Sequence, residues 1–371
     1  MTTLFFTGST GALAPFLIHR LLHGGGGADR FVCLVRSAGG ADRLGRRIGA
    51  ICPACAREVT PERFTFVPGD VTEGIPEVGR VDAVWHFAGD LRMDPDSARE
   101  VAATNLAGTR SVLDLCRRTG AALYDVSTAY VCGTRSGPVR EKELLCGQSF
   151  RNAYEDSKAH AEELVREHLG GSPGIVFRPS IVLGDTSTGV SLTFAGFYRV
   201  LWAAARLRDR LTGLAGSLLS AGGSDLVITL PCASLDERVN LVAAEYVTDL
   251  MMRLHADPRA LGRTFHLVNP EPPSIGELLA VLQEVIGMSG FRLVPQGPGH
   301  EEAGAGVSAL AGALGDNVLV YFPYLTGSHP EFDMGNVAML CGGIPAHPPL
   351  DHAAWERLFA YAAERDFAAV Y

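Results

Sequence analysis

Apolar and polar positions along the first 180 residues alternate between two patterns. Short continuous apolar runs predict buried strands, and longer stretches with apolar positions three to four apart predict helices. The predicted strands are 4–6, 31–35, 64–67, 81–85, 122–126 and 175–177, and the predicted helices include 15–22, 101–118 and 154–168. Strands that alternate with helices indicate a doubly wound α/β fold, a parallel Rossmann sheet covered on both faces.

The regular alternation of strands and helices ends after residue 184. A long helical stretch is predicted at 194–211, followed by an apolar run at 240–242, a helix at 244–255 and a strand at 263–268. We predict an NADP-binding Rossmann domain of residues 1–183 plus about 236–270. A smaller, mostly helical substrate lobe would comprise 184–235 plus 271–371. The glycine run at 24–27 predicts a mobile connection, and 296–306 predicts an exposed loop.

Composition and charge narrow the possible classes of function. The chain has 371 residues, of which 47% are hydrophobic and 20% charged, as expected of a packed globular protein. Its formal net charge of −9 argues against a nucleic-acid binder, which needs clustered positive charge. No apolar run reaches 18 residues, and the predicted first strand begins at Leu4, which leaves no room for a signal peptide. We therefore expect a cytoplasmic protein.

Eight cysteines are scattered without the rhythm of a disulfide scaffold, which suits a reducing compartment. Cys52-Pro53-Ala54-Cys55 has the spacing of a zinc ligand pair, but no second pair follows it. We therefore expect ordinary thiols in a loop and no metal. Three histidines, His86, His160 and His168, are interpreted as structural or helix-surface residues.

A glycine-rich turn follows the first predicted strand and leads into an apolar helix. Gly8 permits the tight turn, Gly11 lets the backbone approach a pyrophosphate at a helix N-terminus, and Ala14 is the third small position. This context predicts dinucleotide binding rather than a merely structural turn. The predicted cofactor contacts of this turn are Thr7, Gly8, Ser9, Thr10, Gly11, Ala12 and Leu13.

The second predicted strand ends at Val35 and is followed by Arg36. An NAD-binding Rossmann fold usually places an acidic residue there, whereas arginine favours the 2′-phosphate of NADPH. Arg43, Arg46 and Arg47 lie nearby, and we select Arg46 as a second contact. Solvated surface arginines are the alternative interpretation for all three.

Tyr154 and Lys158 are four residues apart in a predicted helix and therefore share one face. We expect the Lys158 ammonium to favour the Tyr154 phenolate, which would lower the phenol pKa from near 10 towards neutrality. Such a pair can transfer a proton to or from a substrate oxygen. Thr128 ends the predicted strand before this helix and would hydrogen-bond that oxygen as it gains charge.

These motifs together resemble the extended short-chain dehydrogenase/reductase superfamily. The Ser127-Thr128 strand end and the Tyr154-x-x-x-Lys158 pair match its catalytic pattern, and the resemblance covers most of the first 180 residues. It implies catalysis by Thr128, Tyr154 and Lys158. The further cofactor contacts that it implies are Asp70, Val71, Phe87, Ala88, Gly89, Asn105, Tyr154, Lys158, Pro179, Ser180 and Ile181.

More narrowly, the chain resembles the thioester reductase and fatty acyl reductase branch, the NAD-binding male-sterility type. Residues 33–36, 178–180, 321–324 and 332–336 carry this likeness, while Ala14 for glycine and Asp90 depart from the pattern. The resemblance implies NADPH-dependent reduction of an acyl thioester, bound to a carrier protein or to coenzyme A, to an aldehyde or alcohol. The alternatives are a ketoreductase, dehydrogenase or sugar-nucleotide epimerase with the same trio, and a non-catalytic NADP-binding regulator.

The sequence contains no carrier or adenylation domain, so we expect the thioester to arrive on another molecule. Arg199, Arg206 and Arg210 fall on one stripe of the helix predicted at 194–211. Carrier proteins are typically acidic, and complementary charge raises encounter rates. We therefore hypothesise that this stripe steers an acidic carrier protein, with a solvated helix face as the alternative.

Overall fold

The computed structural model describes residues 2–23, 28–218, 228–232, 234–287, 291–295, 320–321, 323–327 and 330–368. The predicted glycine connection at 24–27 and the predicted loop at 296–306 lie outside these ranges. The strands are β1 Thr2–Thr7, β2 Ala28–Val35, β3 Phe64–Pro68, β4 Ala83–His86, β5 Ala122–Val126, β6 Gly137–Val139, β7 Gly174–Pro179, β8 Ile181–Val182, β9 Ile228–Cys232, β10 Leu241–Val242, β11 Thr264–Leu267, β12 Phe291–Pro295 and β13 Pro330–Phe332. The helices are α1 Ala14–His23, α2 Gly40–Ile51, α3 Ala98–Thr119, α4 Ala153–Leu169, α5 Phe197–Leu218, α6 Ala244–His255, α7 Ile275–Val285, α8 Pro323–Thr326, α9 Gly335–Cys341 and α10 His352–Ala363.

Seven parallel strands form the main sheet in the order β11-β7-β5-β4-β1-β2-β3. The chain first winds outward from β1 to β3 and then returns to the other side of β1 with β4. This reversal creates a crevice at the carboxyl ends of β1 and β4, which is where doubly wound folds bind ligands. The α/β prediction is therefore confirmed.

Alternating side chains along β1 bury the two faces of the sheet in separate cores. Phe6 belongs to the core beneath α1 and α6, with Leu17 and Val247. Phe5 points into the opposite core, with Val112 of α3 and Val165 of α4. The continuous apolar runs of the sequence follow from this arrangement, because each central strand is covered on both faces.

A third core lies beside the carboxyl edge of the sheet, where Phe197 of α5 packs with Trp355 of α10 and Leu278 of α7. Several of the predicted element bounds differ from those of the structure. Helix α5 begins at Phe197 rather than 194, after Gly196, whose φ is +61°. Strand β4 begins at Ala83 rather than 81. The proposed division into two domains stays a prediction.

The two cysteines of the Cys-x-x-Cys motif form a disulfide, so the expectation of two ordinary thiols was wrong. Cys52 ends α2, and the Cys55 amide donates a 3.0 Å hydrogen bond to the Cys52 carbonyl. This turn leaves the Cα atoms 5.3 Å apart, within bonding reach of the two sulfurs. Spacing alone does not reveal that turn.

None of the helices, within the ranges that the structure describes, is both long and apolar enough to cross a membrane.

Candidate active site

The glycine-rich turn lies at the crevice between β1 and β4. Gly8 has a φ of +67°, and a Cβ placed there would lie 2.7 Å from the Ala88 nitrogen. The Gly11 amide donates a 2.8 Å hydrogen bond to the Gly8 carbonyl, which closes the turn before α1 begins at Ala14. Glycine at position 8 thus allows two backbone segments to touch, and the N-terminus of α1 opens toward the crevice.

A cavity of about 240 Å³ begins at this turn and continues past the predicted catalytic trio. The predicted site residues that line it are Gly8, Gly11, Ala12, Leu13, Phe87, Ala88, Gly89, Thr128, Tyr154, Lys158, Pro179, Ser180 and Ile181. The fold therefore gathers both halves of the predicted site around one space. Predicted residues that do not line it are Thr7, Ser9, Thr10, Arg36, Arg46, Asp70, Val71 and Asn105.

Several of the residues outside the cavity support its walls. The Thr7 hydroxyl is 2.7 Å from His86 Nδ1 and accepts a 3.2 Å hydrogen bond from the Ala88 amide. Asn105 accepts from the Asp90 amide at 2.7 Å and donates to Ser157 Oγ at 2.9 Å. Asn105 thus joins the loop after β4 to the helix that carries Tyr154.

Tyr154 lies in the first turn of α4, where the Asn152 side chain caps the helix by accepting from the Glu155 amide at 3.0 Å. The phenol is hydrogen-bonded to Thr128. Burial raises the pKa of Tyr154 to about 12, and the bond to Thr128 opposes that rise only in part. The phenol therefore stays protonated at neutral pH, which suits an acid rather than a base.

The expectation that Lys158 lowers the phenol pKa was wrong for this arrangement. Its Nζ donates a 2.8 Å hydrogen bond to the carbonyl of Val126, at the end of β5. The ammonium acts instead on two buried groups: it limits the burial-driven rise that brings the pKa of Asp125 to about 6, and it adds to the burial that lowers the pKa of His86 to about 3. Desolvation, rather than the position of Lys158 on the same helix face, therefore determines the pKa of Tyr154.

A buried ion cluster that the sequence pattern does not indicate lies beside Thr128. Glu162 of α4 accepts from Ser127 Oγ at 2.7 Å, and from Arg178 Nε at 2.9 Å and Nη2 at 2.8 Å. Arg166 Nε donates to the same carboxylate at 2.8 Å. The cluster fixes the strand end that presents Thr128. The spacing of Glu162 four residues after Lys158 was a visible signal, but it did not reveal the partner on β7.

The arginines near the turn take different roles from those predicted. Arg47, rather than Arg46, is buried, and its Nη1 donates to the carbonyls of Gly11 at 3.0 Å and Leu192 at 2.9 Å. It therefore ties the turn to the opposite wall. Arg36 and Arg46 are exposed, and Arg43 donates to Ser37 Oγ at 2.7 Å. Arg36 lies close enough to Asp70 to help hold the pKa of that carboxyl down, after the larger effect of the Thr72 amide.

The far wall of the cavity is apolar. It is formed by Leu91, Met93, Leu192, Phe197 and Val200. Tyr324, from the late motif noted in the sequence, also lines it and packs on the start of α4.

Tyr324 connects this wall to the catalytic helix. Its hydroxyl donates to Glu155 Oε1 at 2.7 Å and accepts from Asn152 Nδ2 at 2.9 Å. The Arg151 guanidinium lies 5.2 Å from the centroid of the Tyr324 ring. The late segment therefore belongs to the site, although the sequence analysis assigned Tyr324 no role.

Comparison with known proteins places this geometry among its relatives. A family model described as "Male sterility protein" matches residues 6–217, more than half of the chain. "Aldehyde reductase lnbA" of Aspergillus flavus is 24% identical over 291 residues, which is 72% of this chain and 26% of that protein. "Nonribosomal peptide synthetase asaC" of the same fungus is 24% identical over 73% of this chain and 26% of its own length. The chain thus spans about a quarter of the length of these relatives.

Solved structures agree with the family model. The terminal R domain from the myxalamid PKS-NRPS biosynthetic pathway has a TM-score of 0.78 and 27% identity, covering 98% of this chain and 91% of that domain. The reductase domain of a nonribosomal peptide synthetase from Mycobacterium tuberculosis has a TM-score of 0.70 and 19% identity, covering 99% and 93%. A UDP-glucuronic acid 4-epimerase from Bacillus cereus in complex with NAD shares the fold at a TM-score of 0.61 and 16% identity, covering all of both chains.

Proposed function

The chain belongs to the male sterility protein family, the thioester reductase-like branch of the extended short-chain dehydrogenases/reductases, and from this we propose that it reduces an acyl thioester with NADPH. The products would be a free thiol and an aldehyde, or an alcohol after a second reduction. The observation that carries the proposal is the cavity, which brings Tyr154 and Thr128 together between a dinucleotide turn and an apolar wall.

The state of Tyr154 favours the direction of reduction. A carbonyl that is reduced gains negative charge on oxygen and needs a proton. The half-buried phenol of Tyr154, whose desolvation in the cavity wall raises its pKa to about 12, holds that proton at neutral pH. Thr128 and Tyr154 together can stabilise the oxyanion. Lys158 lines the same cavity and donates a hydrogen bond to the Val126 carbonyl.

The apolar wall favours an acyl chain over a sugar nucleotide. Leu91, Met93 and Phe197 offer contact area but no hydrogen bonds from their side chains, whereas a sugar ring needs many polar partners. The likeness to the epimerase, at 16% identity, extends to the fold alone.

The residues present fit a nicotinamide dinucleotide. Gly8 and Gly11 line the cavity beside the start of α1, a position that suits a pyrophosphate, and Gly89 and Pro179 line the adjoining wall. When bound, the cofactor supplies a hydride. Arg36, at the exposed end of β2, would bind the 2′-phosphate, with Arg43 and Ser37 beside it.

The choice of NADPH can be tested with Arg36→Asp. We expect the ratio of kcat/KM for NADPH to that for NADH to fall by at least about tenfold, because a charged hydrogen bond to phosphate is lost and replaced by repulsion. Arg30→Asp, at the other end of the same strand, is the matched control and should leave the ratio unchanged. An unaltered ratio in Arg36→Asp would contradict the assignment of Arg36.

The reaction itself is tested by following NADPH absorbance and free thiol together, with acyl-pantetheine and acyl-coenzyme A substrates of several chain lengths. We expect one thiol released per NADPH consumed in the first reduction. A parallel panel of sugar nucleotides and secondary ketones should give no turnover. Turnover of those compounds without any thiol release from thioesters would overturn the proposal in favour of an epimerase or ketoreductase.

We further propose that a carrier protein presents the thioester, because an archaeal nonribosomal peptide synthetase of the same fold contains a thiolation-reductase di-domain. Arg199 and Arg206 lie 5.7 Å and 5.9 Å from the centroid of the Trp202 ring, and Arg206 also pairs with Asp366 at 2.8 Å. The side chain of Arg210 lies outside the described residues. We therefore base the docking hypothesis on Arg199 and Arg206, which would attract an acidic carrier protein.

Docking predicts that Arg199→Glu/Arg206→Glu lowers kcat/KM for a carrier-bound thioester by about three- to tenfold at low salt, and less at high salt. The same variant should leave acyl-pantetheine turnover unchanged. Arg80→Glu/Arg117→Glu, two exposed residues at the amino edge of the sheet, is the control of equal charge. Equal losses with carrier-bound and small substrates would show that Arg199 and Arg206 serve only the fold.

A further inference from the structure

Two histidines and two cysteines meet at the ends of the first two helices. His19 and His23 are four residues apart near the end of α1, so they share one face, and their ring centroids are 5.1 Å apart. Cys52 ends α2, and Cys55 follows on the same turn. These segments are distant in sequence but adjacent in the fold.

The possible ligand atoms of these residues form a compact group. One ring nitrogen from each of His19 and His23 and the sulfur of Cys55 all lie within 4.8 Å of one another. The Cys52 sulfur is outside that group of three, but it is bonded to the sulfur of Cys55. Within the part of the chain that the structure describes, this is the one cluster of three or more His, Cys, Asp or Glu residues suited to a metal.

We propose that His19, His23, Cys52 and Cys55 form a structural zinc site when the two cysteines are reduced. Two imidazole nitrogens and two thiolates are a ligand set typical of tetrahedral structural zinc. Bond lengths of about 2.0 to 2.3 Å place such ligand atoms about 3.5 Å apart, so the ligand atoms of His19, His23 and Cys55 need to approach one another by only about 1 Å. The Cys52 side chain must turn towards them once the S–S bond is broken.

The surroundings agree with a structural role. Glu58 Oε1 lies 3.2 Å from His23 Nε2, and metal-bound imidazoles are commonly oriented by a neighbouring carboxylate. Four protein ligands leave no open position for substrate. None of the four lines the active-site cavity, so the zinc would act as a clamp between the ends of α1 and α2.

The clamp would support the cofactor turn from behind. Helix α1 begins directly after that turn, and Arg47 of α2 donates to the Gly11 carbonyl within it. Joining the far ends of both helices restricts their relative motion. The expectation of no metal considered only ligand pairs that follow Cys55 in the chain. The proposed second pair, His19 and His23, lies upstream in α1.

Zinc and the disulfide are alternative states of the same two sulfurs. A dithiol or phosphine reductant supplies two electrons, the S–S bond breaks, and two protons complete two thiols. Zn²⁺ then replaces both thiol protons, which are released to solvent. A small-molecule disulfide can accept two electrons from the two thiolates and is itself reduced to two thiols. This step re-forms the protein disulfide and removes both sulfur ligands, so the oxidised protein should not hold the metal.

The test uses the full chain, reduced with a phosphine, stripped with a chelator and titrated with Zn²⁺ in competition with a chromophoric chelator. We expect about one zinc per chain. Co²⁺ in place of zinc should give the visible bands of a tetrahedral site and a thiolate charge-transfer band. The oxidised protein should bind neither ion, and zinc should raise the Tm of the reduced protein alone.

Substitutions of the proposed ligands test which residues bind the zinc. His23→Ala removes an exposed ring and Cys52→Ser a half-buried thiol, and each should weaken zinc binding by at least about a hundredfold and abolish the zinc-dependent rise in Tm. His160→Ala and Cys146→Ser, exposed residues outside the cluster, should bind zinc as the parent does. The proposal fails if the reduced chain binds zinc no more tightly than these ligand variants, if the cobalt spectrum lacks the thiolate band, or if the phosphine leaves the disulfide intact. Each readout is independent of reductase activity, so failure here leaves the proposed reaction untouched.

Discussion

Replacing Tyr154 with phenylalanine is expected to lower kcat for thioester reduction by at least about a hundredfold. The variant loses the phenol proton and the hydrogen bond to Thr128 but little contact area, so the Kd for NADPH should stay within about twofold of the parent value. Stopped-flow NADPH oxidation would give the rate, and fluorescence titration with NADPH would give the Kd.

The pH profile of the parent enzyme checks the same assignment. Since burial raises the pKa of Tyr154 to about 12, the acid is already protonated from pH 6 to 9, and the rate of reduction should stay flat there. It should fall only as the pH rises toward that pKa. Tyr246→Phe is the control and should retain activity, because it removes a tyrosine hydroxyl that donates a hydrogen bond to the Pro345 carbonyl. More than about a tenth of the parent kcat in Tyr154→Phe would refute the role in proton transfer.

The sequence predicts the fold well where the pattern is local. Buried strands such as β1 and β7 are continuous apolar runs, and the turn at Gly8 is identified by the strand before it and the helix after it. The positions of Tyr154 and Lys158 on one helix face follow in the same way from their spacing. Each of these features is fixed by residues near one another in the chain.

Features that depend on distant segments were missed or misjudged. Burial of Tyr154 is set by the surrounding fold, and it reverses the pKa shift that spacing from Lys158 suggested. Arg47 was grouped with Arg46 and Arg43, and its hydrogen bonds to the distant carbonyls of Gly11 and Leu192 distinguish it. The disulfide likewise depends on the turn that follows α2.

Glu162→Ala is expected to lower the free energy of unfolding by about 3 to 5 kcal/mol, the usual cost of removing one partner of a buried ion pair. Burial disfavours the charged carboxylate, but Arg178 and Arg166 hold the pKa of Glu162 below its ordinary value, so the group is ionised. Its removal leaves the fully buried Arg178 without that carboxylate, beside a His266 ring nitrogen 3.2 Å away. Urea unfolding followed by circular dichroism would measure the loss.

Further variants show whether the lost stability comes from the ion pair or from a general effect on α4. Glu163→Ala changes an exposed neighbour on the same helix and should shift stability by no more than about 0.5 kcal/mol. Glu162→Leu/Arg178→Met removes both charges, and its loss should be smaller than the sum of the losses in Glu162→Leu and in Arg178→Met, because each single variant leaves one buried charge without this partner. Additive losses would mean that Glu162 and Arg178 stabilise the protein independently. The strand end that presents Thr128 would then owe its position to Ser127 and the backbone rather than to the ion cluster.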